Sequence, residues 1–445
     1  MMVVRPDEAA ARRADVRARG LALAGLAVAA WPSAAAAQIE TTLIQPAIPQ
    51  DYDRGRNVSV LERPRPDYDP LGIRSGSVVI RPSIELGGGA TDNAFLSSTD
   101  RRSDVFALVA PTVRAESDWN RHALLGAAGG RFRRYASDSR RNQDEWFLSG
   151  LGRLELGRSY SVTAEAQAAR TQEEPFTGET TTDLAALSAY KRSFLSVRGQ
   201  YRDGRVRALL SADHQFFNFS SLQPPTGPRL SQANRDRTIG RLAGQVEYAL
   251  SPSTAVYGQL VRSDIDYSSL LAPGVANRDS EGYRAIAGLS LDISGFFRGV
   301  VGVGYTRRDY RSPLYKDASG LSAEARIEYF PTELTTVTIN LRRVLEDSNI
   351  GIASAFFDNR AGLRVDHELL RNLLLNTGLE RARQTYVGSP ARDDIWRVRA
   401  GARYLSSRTL TLDGLISYGN RQRRGEVSDF RVRELAGLIS VTFRR

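Results

Sequence analysis

The stretch Leu321-Ser322-Ala323-Glu324-Ala325-Arg326-Ile327-Glu328-Tyr329 decides how this chain folds. Apolar residues hold every odd position and polar or charged ones every even position. Successive side chains of a strand point to opposite faces, so such a run makes one apolar face and one polar face. The pattern recurs: Tyr283, Ala285, Ala287, Leu289, Leu291 and Ile293 alternate with a set containing Arg284, Ser290 and Asp292. Likewise Trp396, Val398, Ala400, Ala402 and Tyr404 alternate with Arg397, Arg399 and Arg403. Alternation alone suits either a soluble sheet with a buried face or a membrane barrel with a face on lipid.

The connections separate these two options. From Val78 to Phe443 the period-two runs number eighteen, the least regular being 183–201, where the apolar phase shifts near Tyr190 to Phe194. A bulge there preserves eighteen, and a break changes the count. Short connections fall at Asp118-Trp119-Asn120, Gly157-Arg158, Asp203-Gly204, Ser251-Pro252, Ser294-Gly295, Pro331-Thr332 and Ser406-Ser407. Between them lie longer polar ones at 90–103, 173–182, 220–235 and 268–279. Alternating short turns and long loops is the outer-membrane pattern, with turns in the periplasm and loops outside. The prediction is an all-β chain whose residues 77–445 form a transmembrane antiparallel up-and-down β-barrel of about 18 strands, both ends periplasmic.

Aromatic residues should collect at both membrane interfaces. Tyr160, Tyr201, Tyr248, Tyr257, Tyr329, Tyr404 and Phe443 are expected near the periplasmic ends of the strands, and Trp146, Tyr267, Tyr283, Tyr305, Phe357, Trp396 and Tyr418 near the outer ends. Bulk composition agrees without deciding. Hydrophobic residues are 41% of 445, which fits a barrel in which only alternate residues meet lipid. After the N-terminal region no apolar run reaches the roughly 20 residues of a spanning helix, so a membrane-embedded body must be a closed sheet.

Residues 1–37 read as a secretory signal: Arg17 and Arg19, then an apolar run from Leu21 to Trp31, then Ala35-Ala36-Ala37 before Gln38, with cleavage between Ala37 and Gln38. Residues 38–76 carry Pro46, Pro49, Pro64, Pro66 and Pro70 with many charges and no apolar period. They read as a proline-rich, extended periplasmic arm. A plain linker is the first reading; docking to a periplasmic partner or folding into the pore are the alternatives.

The polar phase of the strands supplies a lumen of mixed sign, with Arg153, Arg241, Arg284, Arg326, Arg360, Arg364, Arg397, Arg399 and Arg403 beside Glu155, Glu247, Asp292, Glu324 and Glu328. The chain has 61 Lys+Arg against 50 Asp+Glu, a formal charge of +11, and only Lys191 and Lys316 are lysines. Arg131, Arg133, Arg134, Arg307, Arg308, Arg421 and Arg423 lie toward the outer ends of their strands and are expected to form a rim. Guanidinium groups there can fork onto phosphates, those of lipopolysaccharide first among them. With the basic excess at one end of a barrel, nucleic-acid binding is a poor explanation of it.

Catalysis has little support. His122 and His367 fall near turns and His214 on the lipid-facing phase, and Asp393-Asp394 suits a solvated junction. No catalytic residues, metal site or cofactor are expected. Cysteine is absent, which excludes disulfides and thiolate chemistry.

At Tyr68-Asp69-Pro70-Leu71-Gly72-Ile73-Arg74, Pro82-Ser83-Ile84-Glu85, Thr91-Asp92-Asn93-Ala94-Phe95, Glu116-Ser117-Asp118-Trp119-Asn120-Arg121-His122 and Asp366-His367-Glu368-Leu369-Leu370-Arg371-Asn372, the chain resembles a β-barrel porin family of alphaproteobacteria. The resemblance implies an outer-membrane porin-like channel of a Gram-negative bacterium, associated with exopolysaccharide or capsule secretion, and carries no catalytic residues. The expected function is exit of an exopolysaccharide or another polar or anionic solute. A plugged barrel that holds surface polymer is the alternative. Implied partners are outer-membrane lipid and lipopolysaccharide, the barrel assembly machinery, and periplasmic polysaccharide-export proteins. The chain departs from the usual aromatic ending of such barrels, because Arg444 and Arg445 follow Phe443.

Overall fold

The computed structural model of the protein describes residues 47–50, 52–174, 176, 186–224, 227–293, 295–348, 353–425 and 429–445. The expected signal segment and its cleavage point at Ala37 and Gln38 lie outside the described residues.

A short strand, β1 (Ile73–Ser75), precedes eighteen long ones. These are β2 (Val78–Thr91), β3 (Asp104–Ser117), β4 (Ala123–Tyr135), β5 (Gln143–Leu156), β6 (Tyr160–Gln172), β7 (Ala189–Asp203), β8 (Val206–Phe219), β9 (Arg237–Ser251) and β10 (Thr254–Tyr267). They continue as β11 (Ser280–Ile293), β12 (Phe297–Tyr310), β13 (Ala318–Thr332), β14 (Thr335–Asp347), β15 (Ala355–Leu370), β16 (Leu373–Tyr386), β17 (Arg392–Leu405), β18 (Leu410–Arg424) and β19 (Phe430–Arg444). Each pairs antiparallel with its sequence neighbours and β19 returns to β2, so the sheet is a closed eighteen-stranded barrel without a free edge. Strands of 13 to 16 residues exceed the ~9–11 needed to cross the hydrocarbon.

Connections alternate as the sequence predicts. Those after odd-numbered strands from β3 onward span two to five residues, and those after even-numbered strands span five to seventeen. Gly157 and Gly204 take φ of +73° and +54° in two of the tight turns, a backbone region that favours glycine.

The faces are inverted relative to a soluble sheet. Leu260, Val303, Leu321, Ile416 and Ile439 are among the most exposed side chains, whereas their strand neighbours Gln259, Ser322, Ser440 and, on other strands, Asp292, Asp358 and Asp393 are buried. The apolar set therefore faces outward around the ring and the polar set faces the lumen.

Two expectations are corrected. Within the run 183–201 the strand begins only at Ala189, and from there on it keeps continuous register with both neighbours, without a bulge or a break. The apparent phase shift arises because Tyr190 and Phe194 point inward near the long-loop end while Lys191 and Ser193 point outward. Of the fourteen aromatics expected on the outer surface, Tyr257 and Tyr267 are buried or half-buried on the inward phase of β10, opposite to exposed Val256 and Leu260. Each has a polar partner inside: the Tyr257 hydroxyl donates to Glu324 (3.3 Å) and that of Tyr267 to Asp347 (3.2 Å).

The β19–β2 seam is clasped at both ends. At the long-loop end Asn93 Nδ2 donates to Arg433 O (2.8 Å), Thr91 Oγ1 to Glu434 (2.7 Å) and Leu435 N to Asp92 Oδ1 (2.8 Å). At the other end β19 stops opposite Ser83, and β1 pairs with the overhanging Val78–Ile80 of β2. The terminal arginines take part: Arg445 N donates to Pro82 O (3.1 Å) and the Arg444 guanidinium to Tyr68 O (3.0 Å).

Candidate functional site

The barrel's interior is the candidate site, and period two places its residues. All fourteen residues expected to line the lumen stand on the inward phase. Most are paired with each other or with inward neighbours: Arg241 with Asp213 (2.9 Å), Arg284 with Glu324 (2.8 Å), Arg360 with Glu380 (2.6 Å) and Asp358 (3.1 Å), Arg364 with Asp366 (2.8 Å), Arg403 with Asp413 (2.7 Å), Arg153 with Glu155 (3.3 Å) and Arg326 with Glu328 (3.4 Å). Pairing of this kind compensates charges that lie largely buried against the wall.

The expected arginine rim divides between the two faces. Arg134 and Arg307 face outward and are exposed, each beside an acid, Asp144 (2.5 Å) and Asp309 (2.7 Å). The other five face inward. Arg131 lies 3.7 Å from Glu85, Arg133 hydrogen-bonds Gln143 (3.3 Å), and Arg308 pairs with Asp347. Arg421 and Arg423 both close on Asp393, at 2.6 and 2.7 Å. The physical reason is the pleat: adjacent arginines such as 133–134 and 307–308 must split between faces, whereas residues two apart share one. The same rule separates Asp393, inward and wholly buried, from Asp394, which pairs outward with Arg383 (2.9 Å).

The described residues 47–50 and 52–72 run along the inside of the barrel as a belt against the wall. Ile48 packs on Leu209 of β8 and Ala243 of β9, and Tyr52 on Tyr257, Ile286 and Val300 of β10, β11 and β12. Tyr52 donates to Glu328 on β13 (3.1 Å), Val60 N to Thr336 on β14 (3.0 Å), and Arg65 to Glu368 on β15 (2.7 Å). Farther along, Arg408 of the β17–β18 turn donates to Pro66 O (3.0 Å) before the chain enters β1. Three of the expected lumen-lining acids are thereby engaged by the belt: Glu247 by Arg54 (2.7 Å), Asp292 by Asn57 (2.6 Å) and by Arg54 N (2.8 Å), and Glu328 by Tyr52.

Arg298 of β12 is the hub of this contact. It reaches Glu62 (2.5 Å) and Asp53 (3.1 Å) on the belt, Glu328 (2.7 Å) on the wall, and the Asn57 carbonyl (2.9 Å). Burial works to raise the Glu62 carboxyl, but the charge and hydrogen bond of Arg298 outweigh it and hold that group below the usual carboxylate range. Burial dominates at Asp53 and pushes its carboxyl up, against the pull of the Gly55 N–H and Arg298. Burial also pushes the Tyr52 hydroxyl up, which keeps it a donor to Glu328.

At the opposite end Glu174 and Phe176, which follow β6, reach across the mouth. Phe176 packs with Leu96, Ala382, Ile395 and Val432, and Glu174 bonds Arg397 (3.0 Å) and approaches Arg399 (3.9 Å). Gly419 makes room for that ring, since a Cβ there would lie 2.5 Å from it. The periodicity missed Tyr52, Asn57, Arg65 and Phe176 because none stands in a period-two run, and a segment without a period carries no signal for its partner.

Among the described residues no three His, Cys, Asp or Glu side chains gather as a metal site. His214 faces outward against Phe216, His367 contacts Thr335 (3.0 Å), and His122 Nδ1 accepts from Glu155 N (3.2 Å), so the three imidazoles do not converge.

A family model described as putative beta-barrel porin 2 matches residues 65–445. No curated protein sequence matches the chain. Among solved structures, the chain is similar to the outer membrane protein OpdK of Pseudomonas aeruginosa, with 10% identity and a TM-score of 0.45 over 82% of this chain and 99% of that one. It is similar to OccK2 of the same organism, solved in complex with glucuronate, with 11% identity and a TM-score of 0.44 over 82% and 98% of the two chains. The siderophore receptor PirA of P. aeruginosa gives 10% identity and a TM-score of 0.43 over 84% and 81%.

Proposed function

We propose, from the premise that this chain belongs to the beta-barrel porin 2 family, that it is an outer-membrane channel whose solute is an exported polysaccharide or a related polar, anionic molecule. The observation that carries the reading is the closed ring with an apolar exterior and an interior of arginines and carboxylates. A lipid bilayer solvates the first surface and water the second. In this reading the short turns face the periplasm, where export proteins would hand over the polymer, and the long loops face outward. Outward arginines at the loop end, Arg134 and Arg307 with Arg343 and Arg383, would meet lipopolysaccharide phosphates. In this reading the chain acts by passage alone, without catalysis.

The test is reconstitution of the mature chain into planar bilayers and liposomes. Discrete conductance steps and release of an entrapped anionic oligosaccharide are expected. Complete absence of both, persisting after removal of residues 38–76, would sink the reading. A second reading, a plugged barrel retaining surface polymer, draws on the belt and on Glu174 and Phe176 at the mouth. A deletion strain that secretes polymer normally but fails to hold it at the surface would favour that reading.

A further inference from the structure

The belt has the features of a docked part rather than of a tether. Its buried side chains, Ile48, Tyr52, Asn57, Val60 and Arg65, each meet a specific partner, and the partners lie on eight consecutive strands, β8 to β15. Between those anchors Arg56, Val58 and Leu61 are exposed, so one side of the belt grips the wall and the other fronts the lumen. The anchoring combines apolar packing at Ile48 and Tyr52 with ion pairs of Arg54 to Glu247 and Arg65 to Glu368, and its most connected centre is Arg298, which holds Asp53 and Glu62 of the belt together with Glu328 of the wall. Much of this contact is made by polar and charged groups that water can also satisfy, so the net cost of breaking each one is modest, and the apolar cost of undocking is limited to Ile48, Tyr52 and Val60.

We propose that residues 47–50 and 52–72 form an intraluminal belt that sets the bore of the pore, docked on the β8–β15 wall and latched by Arg298. This rests on the channel reading above. The belt confines the water-filled path to the remaining wall, that of β16 to β19 and β2 to β7, and release of the latch widens it.

Single-channel conductance of the mature chain in planar bilayers tests this, with three variants. Arg298→Gln removes the latch from the wall, Arg54→Ala with Asn57→Ala removes two anchors from the belt and leaves the barrel intact, and a third variant lacks residues 47–72. Folding of each is checked by heat-dependent migration on gels. An eighteen-stranded barrel leaves an aqueous interior whose cross-section the belt shares, so deletion should raise conductance roughly twofold or more. The two substituted forms should flicker between the wild-type and the larger level. A silent wild type beside a conducting deletion variant would be the strongest support. Conductance identical in wild type and in every folded variant would overturn the belt's role while leaving the channel reading standing. Silence of all four chains would overturn both.

Discussion

Asp393 accepts two arginines on one carboxylate. Arg421 donates through Nη2 (2.6 Å) and Arg423 through Nε and Nη2 (2.7 and 2.8 Å), and Phe430 lies against both guanidiniums. Arg421 and Asp393 are wholly buried. Removing the acid from such a pair leaves an uncompensated buried charge, at a cost of about 3–5 kcal/mol. Asp393→Ala should lower the urea midpoint of the detergent-folded barrel accordingly, followed by tryptophan fluorescence. Its neighbour Asp394 pairs with an exposed arginine on the outer surface, so Asp394→Ala should cost less than about 1 kcal/mol. An equal effect of the two would contradict the assignment of faces. Both acids are legible as charged residues in the sequence; only the phase of the strand tells which one is buried.

The belt is the element whose behaviour depends on protonation. Glu62 faces Arg298 from β12, with Asp53 and Ser59 beside it on the belt and Glu328 of β13 sharing the same guanidinium. Its docked carboxyl is depressed, so the attraction is fully present above the undocked value of about 4.3 and is lost as pH falls through the lower docked value. Asp53 is raised by burial and acts in the opposite sense, gaining docking on acidification. Wild-type conductance should therefore rise below about pH 4, and Glu62→Gln, which never forms the ionic contact, should lack that rise. A rise of the same size in both proteins would remove Glu62 from the latch. The segment's prolines and charges predict extended backbone without a period, and that is how it lies; which wall it meets has no local signature.

At the scale of the whole molecule, the inverted distribution of polar and apolar surface governs behaviour. Leu260, Val303, Leu321 and Ile439 on the outside need lipid or detergent, and the charged interior needs only water and its own counter-charges. Dilution from urea into micelles should yield strand-rich circular dichroism and a heat-modifiable band, whereas dilution into buffer alone should precipitate the chain. Leu260→Arg, near the middle of β10 on the outer face, should impair insertion by about 2–4 kcal/mol, while Gln259→Arg, one residue away and inward, should not. Comparable loss for both would contradict the proposed membrane exterior. Loop-length parity made the eighteen strands and their ring legible from the sequence, because turns and strand period are local properties. The misplaced Tyr257 and Tyr267 show where that ends: an aromatic at a strand end suits an interface equally well on either face until its phase is fixed.

The sequence by itself determined the strands, their number, their order around the ring and the sign of each face, since all of these follow from a two-residue period and from the lengths of adjacent connections. Only the tertiary structure decided that five of the seven expected rim arginines point into the lumen, that Glu247, Asp292 and Glu328 anchor a belt, and that Phe176 crosses the mouth. Those are contacts between residues separated by as many as 276 positions, as from Tyr52 to Glu328. Closure of the ring brings them together, and a pattern that repeats every two residues carries no information over that distance.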